Sequence, residues 1–114
     1  MEIRNRDRDV EPFTTKDGSE IRELMQAAKQ SLAEATVAPS QATERHYHAA
    51  SEELYYVLDG SGELELDGER RAVGPGDAVL IPPGVRHSFT GGAEGARFLC
   101  CCAPPYSDGD TFLD

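Results

Sequence analysis

The chain has 114 residues, which suits a single domain able to bury about two-thirds of its unfolded surface without disulfide staples. Its formal charge is −10 and its pI is near 4.6, the opposite of the basic footprint that nucleic acids or anionic membrane surfaces require, so the acidity reads as a device for solubility. No run approaches the ~20 apolar residues of a membrane span. Met1 to Pro12 is rich in Arg, Asp and Glu and resembles no signal peptide, and the three cysteines are consecutive, Cys100-Cys101-Cys102, a poor arrangement for disulfides on a strand; a reduced, cytoplasmic protein is expected.

Residues 1–18 read as an irregular, charged arm with room for one edge strand, and residues 19–114 as the folded domain. Ser19 to Val37 is open between two readings. Ile21, Leu24, Met25, Ala28 and Leu32 fit a helical stripe capped by Ser19, but the same segment reads as two strands, Glu20–Met25 and Ser31–Val37. A turn at Pro39-Ser40-Gln41 leads to strands at Glu44–His48 and Glu53–Asp59, and Gly60-Ser61-Gly62 is expected to break the chain. Glu63 to Asp67 alternates as a strand with one wet face, Asp67-Gly68 is a hairpin signal, and Glu69–Val73 returns. Strands Ala78–Ile81 and His87–Phe89 flank Pro82-Pro83-Gly84. Gly91 to Gly95 is expected to be a loop, Ala96–Ala103 the closing strand, and Tyr106 to Asp114 a tail. Strands and turns at this spacing predict an all-β sandwich or barrel.

Two stretches carry chemistry. In the first, His46 and His48 are two apart, so on a strand both imidazoles point to one face, and a strand, turn and strand bring Glu53 back beside them. Two nitrogens and a carboxylate form a mixed donor set suited to a first-row divalent metal. In the second, a short apolar strand ends at Pro-Pro-Gly and His87 follows. The chain has three histidines; two are paired and the third follows a strand-turn signal.

These stretches resemble the two motifs of the cupin superfamily. His46, His48, Glu53 and Gly60 match the first, and Gly76, Pro82, Gly84 and His87 match the second. Ser40 stands where the family usually has a glycine, and Gly91 where it usually has an asparagine; both are turn positions. The resemblance implies strands across Ser19–Val37, a cupin-type antiparallel β-barrel of jelly-roll kind, and one metal ion on His46, His48, Glu53 and His87. Fe, Mn, Ni, Co, Cu and Zn all suit such a set. Four protein ligands on an octahedral ion leave two places for a small-molecule substrate, or for substrate plus dioxygen. The resemblance allows dioxygenases, isomerases, decarboxylases, cyclases and lyases, with oxidoreductase chemistry slightly ahead. The rival is a non-catalytic sensor of a small ligand, although the chain has no room for a DNA-binding helix-turn-helix before its barrel. A homodimer is expected, from open sheet edges and from the same resemblance.

Strand parity adds further candidates. Tyr55 shares the face of Glu53 and reads either as a hydroxyl donor to a bound oxygen or as core packing. Glu44 shares the face of His46 and His48 and reads either as a nearby acid or base or as a group at the wet rim. Phe89 is expected to line the pocket. With Arg97 outward, Phe98, Cys100 and Cys102 face inward, and the thiols read either as small apolar filler or as a nucleophile or stray ligand. Tyr106 is a candidate substrate contact.

Overall fold

The computed structural model describes residues 1–114. Nine strands follow one another: β1 (Phe13–Thr14), β2 (Glu20–Gln26), β3 (Ser31–Val37), β4 (His46–His48), β5 (Glu52–Leu66), β6 (Glu69–Val73), β7 (Ala78–Ile81), β8 (His87–Ala103) and β9 (Thr111–Leu113). A single 3-10 turn, Asp108–Asp110, precedes β9. All pairings are antiparallel, in a curled sheet of order β1-β2-β3-β8-β4-β9, with β5 joining β8 to β6 and β7. Ser19–Val37 is therefore strand, not helix: the apolar stripe that suits a helix splits into the two faces of β2 and β3. This is the antiparallel cupin-type β-barrel that the motifs implied.

Three expected chain breaks and ends are not found. Gly60-Ser61-Gly62 does not end a strand. β5 runs through it, absorbing the disturbance as register shifts at Val57/Asp59 and Gly60/Gly62. Gly91 to Gly95 is likewise part of β8, which extends over 17 residues. The physical reason is a close approach between these two long strands. Gly60 has φ +78°, and a Cβ there would overlap Gly95 and Ala96 of β8. Finally, Tyr106 to Asp114 is no free tail, because β9 pairs with β4 at His46–Leu113, Tyr47–Phe112 and His48–Thr111. Ser40, in place of a glycine, adopts φ 61°.

Cross-strand rows organise the interior. Ser31, Cys102, Glu53 and Ile81 form one inward row across β3, β8, β5 and β7. The next holds Glu23, Ala33, Cys100, Tyr55 and Val79, and the one after it Ile21, Ala35, Phe98 and Val57. The apolar core lies mostly beyond the first row: Ala35, Val37, Val57, Leu64, Phe89 and Phe98 are buried there. Phe89 and Phe98 pack at 4.8 Å between ring centroids; truncating either to alanine removes about 3–5 kcal/mol. Phe89 thus sits in this core and not in the pocket wall. Glu65, expected on a wet face, is buried because Arg45 and the Gly68 amide bind its carboxylate.

The arm is held by charge. Glu34 is buried on the outer side of β3, where Arg6 meets it at 2.7 Å and Arg97 at 3.0 Å, and Arg97 also binds Asp59. Arg97 therefore points outward and Phe98, Cys100 and Cys102 inward, as strand parity requires.

Candidate metal centre

The three histidines meet because two short strands are neighbours. His46 and His48 leave the same face of β4, and His87 begins β8 directly opposite His46. All three are buried, and each can offer a ring nitrogen within 4.8 Å of the others. Glu53 arrives from β5, also buried. Its Oε1 lies 3.5 Å from His48 Nε2 and 3.4 Å from His87 Nε2.

The outer nitrogen of each ring has a backbone carbonyl. His46 Nδ1 faces Glu44 O at 2.8 Å, His48 Nδ1 faces Asp110 O at 3.2 Å and His87 Nδ1 faces Val85 O at 2.9 Å. A carbonyl only accepts, so each neutral ring carries its proton on Nδ1 and turns a bare Nε2 inward. Glu53 Oε1 and His87 Nε2 are buried without a hydrogen-bond partner. Buried acceptors that face one another with no donor among them are costly. A cation relieves that cost. Ligand atoms about 2.1 Å from one ion are separated by about 3.0–3.4 Å at tetrahedral or octahedral angles, near the spacing of Glu53 Oε1 from both rings. The residues present therefore fit a divalent transition metal ion.

The electrostatics agree. Burial pushes the Glu53 carboxyl up, but the nearby His48 and His87 rings favour its charged form more strongly and hold it at about 2, so it is a carboxylate at neutral pH. Burial, reinforced by His87, pulls His46 down and keeps it neutral. His48 also feels burial, yet the Glu53 carboxylate beside it, with Asp110, exceeds that and raises the ring above its ordinary value. A proton therefore competes with a metal at His48 first.

Several flanking groups had no functional sign in the sequence beyond turn residues. Asp17 comes from the Thr15-Lys16-Asp17-Gly18-Ser19 turn of the arm and is buried, with its Oδ2 3.4 Å from His46 Nε2. Thr15 and the Ser19 amide and hydroxyl hold this carboxylate in place. Asp110 supplies the carbonyl for His48, while its carboxylate accepts from the amides of Ala49, Ala50 and Ser51. Cys102 donates its thiol to Glu53 Oε2 at 3.3 Å. Burial and the Glu53 charge push the Cys102 thiol up, and Cys100 shifts the same way, so both are inert thiols rather than nucleophiles.

The site opens into a pocket walled by β1, β2, β3, β5 and β8. Tyr55 is in its wall, buried, and burial raises its hydroxyl well above the usual phenol range, so it is a donor. Tyr106 is there too, its ring 6.2 Å from that of His48. Glu44 is not: β4 begins at His46, the Glu44 side chain is exposed, and what it gives the site is its carbonyl.

Fold and cluster together define a β-barrel built round a potential metal site. The chain belongs to the cupin family: the cupin-domain model matches residues 33–102. It is 45% identical over 108 residues to an uncharacterized protein of Methanocaldococcus jannaschii, a match spanning 90% of this chain and 86% of that one. Among solved structures it resembles the polyketide cyclase RemF of Streptomyces resistomycificus, with 30% identity, TM-score 0.80 and coverage of 99% of this chain and 84% of that one. KdgF from Halomonas sp. superposes with TM-score 0.84 at 18% identity, covering 96% and 98%, a likeness of fold. No helix is long and apolar enough to cross a membrane.

Proposed function

We propose that His46, His48, Glu53 and His87 hold one divalent transition metal ion, and that the protein is a metal-dependent enzyme acting on a small oxygen-bearing molecule. The observation that carries this reading is the convergence of bare, buried acceptors, above all Glu53 Oε1 and His87 Nε2, on one point. A divalent ion there supplies Lewis acidity toward a bound oxygen and, where the metal is redox-active, a route to dioxygen.

The chain's own groups suit proton handling at a bound molecule. Asp17 presents a fixed carboxylate beside His46, ready to accept a hydrogen bond or a proton, and Tyr55 presents a hydroxyl from the facing wall. Apolar Phe13, Ile21, Ala33, Ala35 and Phe98 exclude water around them. Non-redox chemistry of cyclase, isomerase or lyase type is favoured by the full-length similarity to a polyketide cyclase. The places left open by four ligands support dioxygenase chemistry as the second reading. Turnover of diketones, hydroxy acids and phenols, with and without oxygen, decides between them. Equal rates under nitrogen support the first reading, and oxygen consumption matched to product supports the second. No turnover of any panel member by fully metallated protein counts against an enzyme of this substrate class.

The reading includes a homodimer. Leu32, Cys101, Leu54 and Leu80 form an outward apolar row across β3, β8, β5 and β7, and Leu54 and Leu80 are 50% and 54% exposed. A flat apolar row suits a two-fold contact between copies.

A further inference from the structure

The pocket that leads to the histidines has an unusual balance of charge. Its wall contains the carboxyl groups of Asp17, Glu23 and Glu53, and no lysine or arginine. The basic side chains next in sequence to its lining residues Asp17, Ile21 and Glu23 are committed elsewhere. Lys16 donates to the carbonyls of Asp108 and Thr111, and Arg22 to those of Arg6 and Val10. Nothing in the wall offers a permanent positive charge to an anion.

Glu23 adds a specific observation. It stands on the inward face of β2, in the row of Ala33, Cys100 and Tyr55, one row along from Glu53. Its Oε1 is buried and has no hydrogen-bond partner. Asp17, by contrast, is satisfied by Thr15 and Ser19. Glu23 thus presents an unmatched acceptor beyond the metal end of the pocket. A buried acceptor without a donor is destabilising, and the loss is recovered when a ligand brings the donor. A ligand carboxylate at that position would bring a second negative charge beside the first instead, and the two would repel.

We infer that the pocket selects an uncharged, hydroxyl-bearing molecule, with oxygens toward the histidines and a hydroxyl donated to Glu23, and that it rejects molecules with a carboxylate at that far end. This rests on the metal reading above for the near end. Glu23 is then a specificity-determining residue, in contact with the bound molecule and not itself one of the metal ligands.

A matched pair of probes tests it. 3,4-Dihydroxybenzyl alcohol and 3,4-dihydroxybenzoate share one metal-binding head and differ in the far group. The protein is loaded with zinc, which has no redox chemistry. Zinc content is measured first, and probe binding then follows by calorimetry for the native protein and for Glu23→Gln. The expected result is that the alcohol binds about ten-fold or more tighter than the benzoate, as one hydrogen bond gained against one repulsion implies. Glu23→Gln should keep its zinc, weaken the alcohol, strengthen the benzoate and close most of the gap. Equal affinities, no binding of either probe to zinc-loaded protein, or a gap unchanged in Glu23→Gln would each overturn the inference and leave the metal reading standing. Failure of the native protein to take up zinc would overturn both.

Discussion

Asp110 should matter as much as a residue of the motifs, although it lies outside them. Its carboxylate accepts from Ala49 and Ala50 at 3.0 Å each and from Ser51 at 3.1 Å, and its carbonyl meets His48 Nδ1 at 3.2 Å. Asp110→Ala removes all the side-chain bonds at once. Hydrogen bonds to a charged group contribute about 1.5–3 kcal/mol when shielded. Ala49 and Ala50 are exposed, so water replaces most of their share, whereas Ser51 is buried and its amide is left unmatched. The expected loss is about 2–3 kcal/mol. With an unfolding entropy of about 0.24 kcal/mol/K for a chain of 114 residues, the midpoint should fall by about 10 °C. Metal affinity should fall by about ten-fold, since the carbonyl remains but its position is no longer held. Asp110→Asn should lie between, because one oxygen survives while an amide N–H₂ confronts Ser51. Burial pushes the Asp110 carboxyl up, but the three amides pull it further down, to a net value below the usual range. The stability it contributes is therefore present above its unfolded pKa, about 3.8, and is lost as pH falls through the lower folded value. Thermal melts at pH 7, 5 and 3, with a zinc titration at pH 7, measure both effects. A variant that melts within about 2 °C of the native protein at pH 7 would refute the clamp.

Two further outcomes are expected. Metal-loaded protein should lose its added thermal stability as pH falls from about 8 to 5, because protons displace the ion from neutral imidazoles, at His48 before His46. The chelator-treated protein has the opposite sign at His48, whose raised pKa contributes stability below about 6.5 that fades as pH rises, so parallel melting curves for the two forms would show that the histidines hold no metal. Leu80→Arg places a charge in the outward apolar row and should convert the proposed dimer to a folded monomer; native protein that sediments near 12.4 kDa at micromolar concentration contradicts that proposal outright.

The parts of the site that a sequence displays are those whose geometry is local. His46 and His48 share a face by strand periodicity alone, and the inward positions of Tyr55, Phe98, Cys100 and Cys102 follow from the same alternation. Glu44 obeyed that parity on paper but lies before β4 begins, where the chain turns it to solvent. Asp17 and Asp110 were invisible for another reason. They reach the histidines through contacts spanning much of the chain, such as Lys16 with Asp108 and Thr111, and nothing local marks such a meeting. The glycines at 60, 62, 91 and 95 look like chain breaks because glycine often is one. In this barrel Gly60 and Gly62 let β5 approach β8, and Gly91 and Gly95 let β8 approach Val37, Ala38 and Pro39, where a Cβ would collide.

His46, His48, Glu53 and His87 are proposed to hold one metal ion. The most direct measurement is elemental analysis of metal bound per chain, on protein purified without added metal and again after zinc loading and dialysis. Native protein is compared with His87→Ala and Glu53→Gln, with circular dichroism confirming that each variant keeps its β structure. The expected result is one ion per native chain, loss of stoichiometric binding in His87→Ala, and weaker but detectable binding in Glu53→Gln, whose amide oxygen still coordinates without the charge. A folded His87→Ala variant that keeps its full complement of metal would contradict the claim.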